Sequence, residues 1–152
     1  MRSARTFALL AIFLLPLRLV AADAPPLPAG ALQYKADGLA WQPGPSSLPA
    51  GSQIVVLEGN PRQAGLFTMR VRVPAGASLA PHTHPRHERV TVLSGVIGLA
   101  FGTSNDPSLL RVLRAGDYYV NPPETPHYLR FAEEAVLQIT TEGPWGLNYL
   151  NP

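Results

Sequence analysis

Residues 76–95 read GASLAPHTHPRHERVTVLSG, and this stretch decides the fold of the chain. His82 and His84 are two positions apart, so on a strand both imidazole rings would point to the same face. Glu88 has the same parity, although Pro85 can interrupt the strand between them. The face then continues with two valines, which are apolar and therefore predict that it points into the protein.

A buried face of this kind needs a chemical reason, because imidazole and carboxylate groups are costly to bury without partners. A divalent metal ion is one such partner, and this ligand chemistry suits Fe, Mn, Ni, Cu or Zn. His127 begins a later predicted strand, after a proline turn, and is placed to complete a set of four ligands. His87 has the opposite parity and is predicted to face the surface or to lie behind the ligands. A metal-free pocket that binds a ligand through the same side chains is the alternative.

The stretch resembles the first sequence motif of the cupin superfamily and matches it at every specified position. The second cupin motif is matched at three of its five specified positions. Glu124 stands where that motif has glycine, which questions the left-handed turn expected there. Phe131 stands where it has asparagine, which removes one polar contact. The two matches are Gly76-x5-His82-x-His84-x3-Glu88-x6-Gly95 and Gly116-x5-Pro122-x-Glu124-x2-His127-x3-Phe131.

The resemblance, which extends to small single-domain members of the conserved-barrel (cupin type-2) branch, implies an all-β jelly-roll barrel with one metal ion inside. Carried over position by position, it implies that the metal ligands are His82, His84, Glu88 and His127. Glu88 also carries a predicted catalytic role, as a base that leaves the metal. Water or substrate would fill the remaining coordination positions.

The rest of the chain is consistent with short strands and frequent turns. Its 152 residues include 17 prolines and 13 glycines, a density that would break a helical bundle. Residues 66–73 alternate between apolar and polar side chains, which is the period of a half-buried strand. About eight short strands are predicted in all, in a single domain over residues 53–152.

Two further residues are predicted to bind substrate. Gln138 shares parity with Val136 and Thr140, and it faces the pocket if that side of its strand lines the barrel. The alternative, that Gln138 lies on the outer face of its strand, is equally open. Tyr118 and Tyr119 are adjacent, so at most one of them points inward. Tyr118 is predicted to be that residue and to bind substrate.

The chain begins with the pattern of a secretory signal peptide over residues 1–22. Arg2 and Arg5 precede an unbroken apolar run at 7–15, and small residues follow at Val20-Ala21-Ala22. This run is too short to span a membrane. The pattern predicts a periplasmic or secreted protein with no membrane association after cleavage. Residues 23–52 contain six prolines and are predicted to form an extended leader.

Charge and composition exclude several classes of function. Twelve basic residues, less the three arginines of residues 1–22, leave nine against ten acidic residues. The processed chain is therefore almost neutral, with no basic cluster for nucleic acid. The absence of cysteine excludes disulfides and thiolate metal sites.

Two functions remain open for a metal-binding cupin-like protein. The first is a metal-dependent oxygenase that acts on a small chelating substrate. The second is a non-catalytic small-molecule-binding protein, whose metal serves recognition or structure. A homodimer is expected in either case, because pairing through sheet edges hides strands that would otherwise aggregate.

Overall fold

The computed structural model describes residues 25–150, so the predicted signal peptide lies outside the described residues. Within that range the regular structure consists of strands and two short 3-10 turns, Ala36–Gly38 and Pro107–Leu109. No helix in this part of the chain has the length and hydropathy needed to cross a membrane. The strands are β1 (Gln42–Pro43), β2 (Gln53–Glu58), β3 (Gly65–Val73), β4 (Ser78–Thr83), β5 (Glu88–Ser94), β6 (Val96–Phe101), β7 (Arg111–Arg114), β8 (Tyr118–Asn121), β9 (His127–Phe131), β10 (Ala135–Gly143) and β11 (Asn148–Tyr149).

The strands form two antiparallel sheets. One sheet has the order β1-β2-β3-β10-β5-β8, and the other has the order β11-β4-β9-β6-β7. Pairing is nested in sequence: β6 pairs with β7, β5 with β8, β4 with β9 and β3 with β10. Nested pairing that alternates between two sheets defines a jelly roll. The predicted all-β cupin fold is confirmed.

The core lies between the two sheets and follows the alternation seen in the sequence. In β3, Phe67, Met69, Val71 and Val73 are each at most 2% exposed, and the side chains between them face outward. Strand β5 repeats the pattern, because Val90 and Val92 are completely buried and continue the face that begins with Glu88. The interior is therefore mostly apolar, and the buried histidines and Glu88 lie at one side of this apolar core.

Strand β4 contains an irregularity that the sequence pattern does not show. Leu79 pairs with Leu129, but the next registered pair is His82 with His127, so β4 has one residue more than β9 between them. This is a β-bulge at Ala80–Pro81, where proline has no N–H to offer a neighbouring strand. In a regular strand Leu79 and His82, which are three positions apart, would face opposite sides, whereas both are buried here. The bulge therefore turns His82 into the interior.

The histidine stretch is not one continuous strand. Strand β4 ends at Thr83 and β5 begins at Glu88, so His84 lies in the connecting loop. That loop is held by a hydrogen bond from the Glu124 backbone N–H to the His84 carbonyl, at 2.9 Å. His82, His84 and Glu88 therefore do not share one strand. Their side chains nevertheless point to the same region of the interior.

The second cupin motif keeps its turn geometry despite the missing glycine. Glu124 has φ +53°, in the left-handed region that glycine adopts without cost. Its carboxylate accepts a hydrogen bond of 3.3 Å from the Thr83 hydroxyl, which partly offsets the strain. Such strain costs on the order of 1 kcal/mol or more for a residue other than glycine.

The second half of the predicted leader belongs to the compact unit, which begins at Leu32. Strand β1 of this segment is limited to Gln42–Pro43 and pairs with the edge of β2. Leu48 is 8% exposed and packs in the core. Residues 32–52 are therefore integrated with the barrel through strand pairing and through Leu48.

Candidate metal centre

Three imidazole side chains converge inside the barrel, and the Glu88 carboxylate lies beside that of His84. His82 comes from the end of β4, His84 from the following loop, Glu88 from the start of β5 and His127 from the start of β9. Each is at most 4% exposed. The three histidines offer ring nitrogens that all lie within 4.8 Å of one another, and this group can hold a metal ion.

Backbone carbonyls fix the orientation of all three imidazole rings. The Nδ1 atoms of His82, His84 and His127 lie 2.8, 2.8 and 3.1 Å from the carbonyl oxygens of Ala80, Gly146 and Thr125. A carbonyl only accepts, so each Nδ1 carries a hydrogen, and in the neutral form of each ring the Nε2 has the lone pair. Metal-binding histidines are oriented in this way by the groups behind them.

One buried nitrogen has no partner in the described part of the chain. The Nε2 of His127 is enclosed and makes no hydrogen bond. An unsatisfied buried polar atom costs about 1–3 kcal/mol, so a site that keeps one needs an explanation. A metal ion bound by the three lone pairs supplies one, and the residues present therefore fit a metal.

Glu88 is held by three neighbours. Its Oε2 accepts a hydrogen bond from Asn121 Nδ2 at 2.9 Å and lies 3.1 Å from His84 Nε2. Its Oε1 accepts one from the Trp145 indole N–H at 2.9 Å. The carboxylate is thus fixed beside the histidines rather than free to swing.

The surroundings of the site shift the pKa values of its four ionisable side chains in different directions. Burial, reinforced by the nearby His127, lowers the pKa of His82 to about 4. Burial also lowers the pKa of His127. Burial acts on Glu88 in the opposite direction, but its hydrogen bond and charge interaction with His84, and the bonds from Trp145 and Asn121, bring its pKa to about 2. Burial lowers the pKa of His84, yet the contact with Glu88 outweighs it and raises that pKa overall.

These values favour a fixed ion-binding carboxylate over a base. A general base works best with a pKa near the operating pH, and a pKa of about 2 is far below that range. The predicted role of Glu88 as a base that leaves the metal stays a prediction.

The cavity beside the four residues is small and otherwise apolar. Its volume is about 30 Å³, enough for one or two water-sized ligands. Apart from the four site residues, its walls are aliphatic and aromatic side chains, among them Phe131, Leu137, Ile139, Tyr119 and Trp145. Phe131, which replaces the asparagine of the second motif, is thus an apolar wall of the cavity.

The two predicted substrate-binding residues do not line this cavity. Tyr118 is 56% exposed, and its neighbour Tyr119 faces the interior instead. Gln138 lies on the outer face of β10, where its Oε1 accepts a hydrogen bond from Arg70 Nε. The inward residues of β10 are Leu137 and Ile139, because the register of this strand against β3 places the odd-numbered positions in the core. His87 is exposed.

Sequence reasoning missed Trp145 and Asn121, which contact Glu88. Trp145 lies in a C-terminal segment far from the motifs, and only contact across the barrel brings it to the site. Asn121 immediately precedes Pro122 of the second motif and is completely buried, which its position at the end of a short strand did not indicate.

The chain matches the protein family described as the ChrR cupin-like domain over residues 30–146. It therefore belongs to the ChrR cupin-like family. Among curated proteins it is similar to germin-like protein 3-1 of Oryza sativa subsp. japonica, with 31% identity over 80 residues. That match covers 52% of this chain and 36% of the rice protein, so the chain spans well under half of this relative.

Solved structures with low sequence identity support the same fold. The acetylacetone dioxygenase from Acinetobacter johnsonii aligns with a TM-score of 0.60 and 17% identity, covering 86% of this chain and 83% of that one. An RmlC-like cupin from Shewanella frigidimarina aligns with a TM-score of 0.55 and 18% identity, covering 72% and 87%. Together with the family match, these likenesses establish a cupin barrel.

Metal binding should compete with a proton on His84. Its pKa lies above the ordinary value of 6.5, whereas those of His82 and His127 lie below it. At about pH 6, ion binding should therefore release about one proton, and affinity should fall as the pH drops further. Calorimetric titration in buffers of different ionisation enthalpy measures this release. Release that is the same at about pH 6 and about pH 8.5 would contradict the assignment.

Proposed function

We propose that His82, His84, Glu88 and His127 bind one divalent metal ion, and that the protein is a metal-dependent oxygenase acting on a small chelating substrate. The observation that carries the metal assignment is the set of three imidazoles, each anchored through Nδ1, with the buried and unpartnered Nε2 of His127 among them. Such a ligand set suits Fe, Mn, Ni, Cu or Zn.

The spacing of Glu88 supports its inclusion as the fourth ligand. Its Oε2 lies 3.1 Å from His84 Nε2. Two ligands with bonds of about 2.1 Å at right angles are separated by about 3.0 Å, so both atoms can contact one ion in adjacent positions. In the absence of an ion the same two groups form a hydrogen-bonded pair, which keeps the carboxylate in place for metal binding.

The metal would provide Lewis-acid chemistry and, as Fe(II), the capacity to activate dioxygen. The contribution of the chain is to fix the ligands and to exclude water. The apolar walls leave a cavity of only about 30 Å³, which the ion would share with its small ligands. An enediol, catechol-like or keto-acid substrate would place only its chelating oxygens inside, while the rest of the molecule stays at the mouth.

The likeness to an acetylacetone dioxygenase agrees with this proposal at the level of the fold. A carboxylate held in place by Asn121 and Trp145 also suits the alternative, a non-catalytic small-molecule-binding protein whose metal serves recognition or structure. Metal binding is common to both proposals, and turnover separates them. The predicted homodimer stays a prediction, which light scattering in solution would test.

Substitution of single histidines should locate the metal. His84→Ala should lose stoichiometric metal, because it removes an inward-facing Nε2. His87→Ala, three positions away on an exposed side chain, is the matched control and should keep it. Metal content after dialysis is measured by elemental analysis, with thermal unfolding as a second measurement. Loss of the ion should lower the unfolding temperature only in His84→Ala, because binding to the folded state stabilises it. Equal metal content in the two variants would mean that the ligand assignment is wrong.

Fe(II)-loaded protein should consume dioxygen when a chelating substrate is added. An oxygen electrode with a panel of enediols, catechols and keto acids measures this, with the His84→Ala protein as the control. Uptake by the wild-type protein and none by the variant is the expected result. A protein that binds iron stoichiometrically but consumes no oxygen with any member of the panel would favour the non-catalytic alternative.

We further propose that the protein acts outside the cytoplasm, on the basis of the signal-peptide pattern in residues 1–22. Cleavage after Ala22 should give a secreted or periplasmic form whose N-terminal sequence begins at Asp23. Recovery of the full-length chain from the cytoplasm alone would contradict this localisation.

A further inference from the structure

The C-terminal strap, residues 143–150, closes over the candidate metal centre. It follows β10 and ends in β11, which pairs with β4 so that Asn148 lies opposite Thr83 and Tyr149 opposite His82. The Tyr149 hydroxyl donates to the Ser47 carbonyl at 2.8 Å, and the Trp145 backbone N–H donates to the Pro61 carbonyl at 2.7 Å. The strap is therefore anchored on both sides of the residues that reach the site.

Two groups of the strap contact the site directly. The Gly146 carbonyl accepts the Nδ1–H of His84 at 2.8 Å, and the Trp145 indole N–H donates to Glu88 Oε1 at 2.9 Å. The indole also lies nearly parallel to the His84 ring, with 16° between the planes and 6.1 Å between the centroids. His84 lies outside any strand, so these contacts supply much of what orients its ring.

We propose that Trp145 is a positioning residue of the metal centre, which holds the Glu88 carboxylate in place for the ion through its indole N–H. The inference rests on the proposed metal binding and adds a residue that lies outside both cupin motifs. Trp145 uses only Oε1, so the oxygen beside His84 Nε2 stays available to an ion. A carboxylate oxygen can accept more than one contact, and the bond from Asn121 to Oε2 leaves room for another.

Trp145→Phe separates this role from packing. Phenylalanine keeps an aromatic ring beside His84 but has no N–H for Glu88. The variant should bind Co²⁺ with an affinity reduced ~10–100-fold, as is typical when a group behind a metal ligand is removed. The visible absorption spectrum of the bound Co²⁺ should also change, because the carboxylate is no longer held. The matched control is Trp41→Phe, at the other tryptophan of the chain, whose half-buried ring has its centroid 4.2 Å from the Arg72 guanidinium carbon.

A double-mutant cycle identifies the partner through which Trp145 acts. Glu88→Gln alone should weaken Co²⁺ binding, and adding Trp145→Phe to it should weaken binding little further. If the two losses add in full, Trp145 does not act through Glu88 and the proposal is overturned. If Trp145→Phe is unstable, 3-benzothienylalanine at position 145, in the Trp41→Phe background, preserves the shape of tryptophan and replaces only the N–H with sulfur.

The outcomes separate this inference from the proposed function. Wild-type affinity and an unchanged Co²⁺ spectrum in the position-145 variants would overturn the positioning role and leave metal binding intact. Failure of the wild-type protein to bind Co²⁺ would overturn the proposed function and the positioning role with it. Reduced affinity, a changed spectrum and non-additivity with Glu88→Gln are the result expected.

Discussion

The anchoring of three imidazole rings by backbone carbonyls is the interaction on which the candidate site depends. Each carbonyl accepts a hydrogen bond from the Nδ1–H of one ring, so the Nε2 atoms face a shared point. At that point the Nε2 of His127 has no partner among the described residues. The site is thus arranged for an electron-pair acceptor, in a small cavity whose remaining walls are aliphatic and aromatic.

The barrel supports this arrangement from several distant parts of the chain. The bulge at Ala80–Pro81 turns His82 inward, the strained turn at Glu124 holds the loop of His84, and the strap brings Trp145 to Glu88. A bulge, a turn and a C-terminal segment thus each position one of the candidate ligands by direct contact or as its neighbour in the chain. Irregular backbone is concentrated here because regular β-strands alternate their side chains and cannot by themselves aim neighbouring residues at one point.

The electrostatics of the site follow from burial. Low pKa values keep His82 and His127 neutral, and the contact with His84 keeps Glu88 ionised. Neutral imidazole and ionised carboxylate are the forms that bind metals. The pairing of His84 with Glu88 gives the metal-free site internal charge compensation, and this explains how a carboxylate with 4% exposure is tolerated in an apolar interior.

The sequence by itself determined the fold class, the family resemblance and the three histidines that converge with Glu88 beside them. The alternation of β3 predicted its buried face, because a strand exposes its two faces with a period of two. Tertiary structure decided which faces of β8 and β10 line the cavity. Tyr119 rather than Tyr118 points inward, and Gln138 pairs with Arg70 outside, because strand register depends on partners far away in the chain. The contact of Trp145 with Glu88 joins residues 57 positions apart, so no local pattern in the sequence could reveal it.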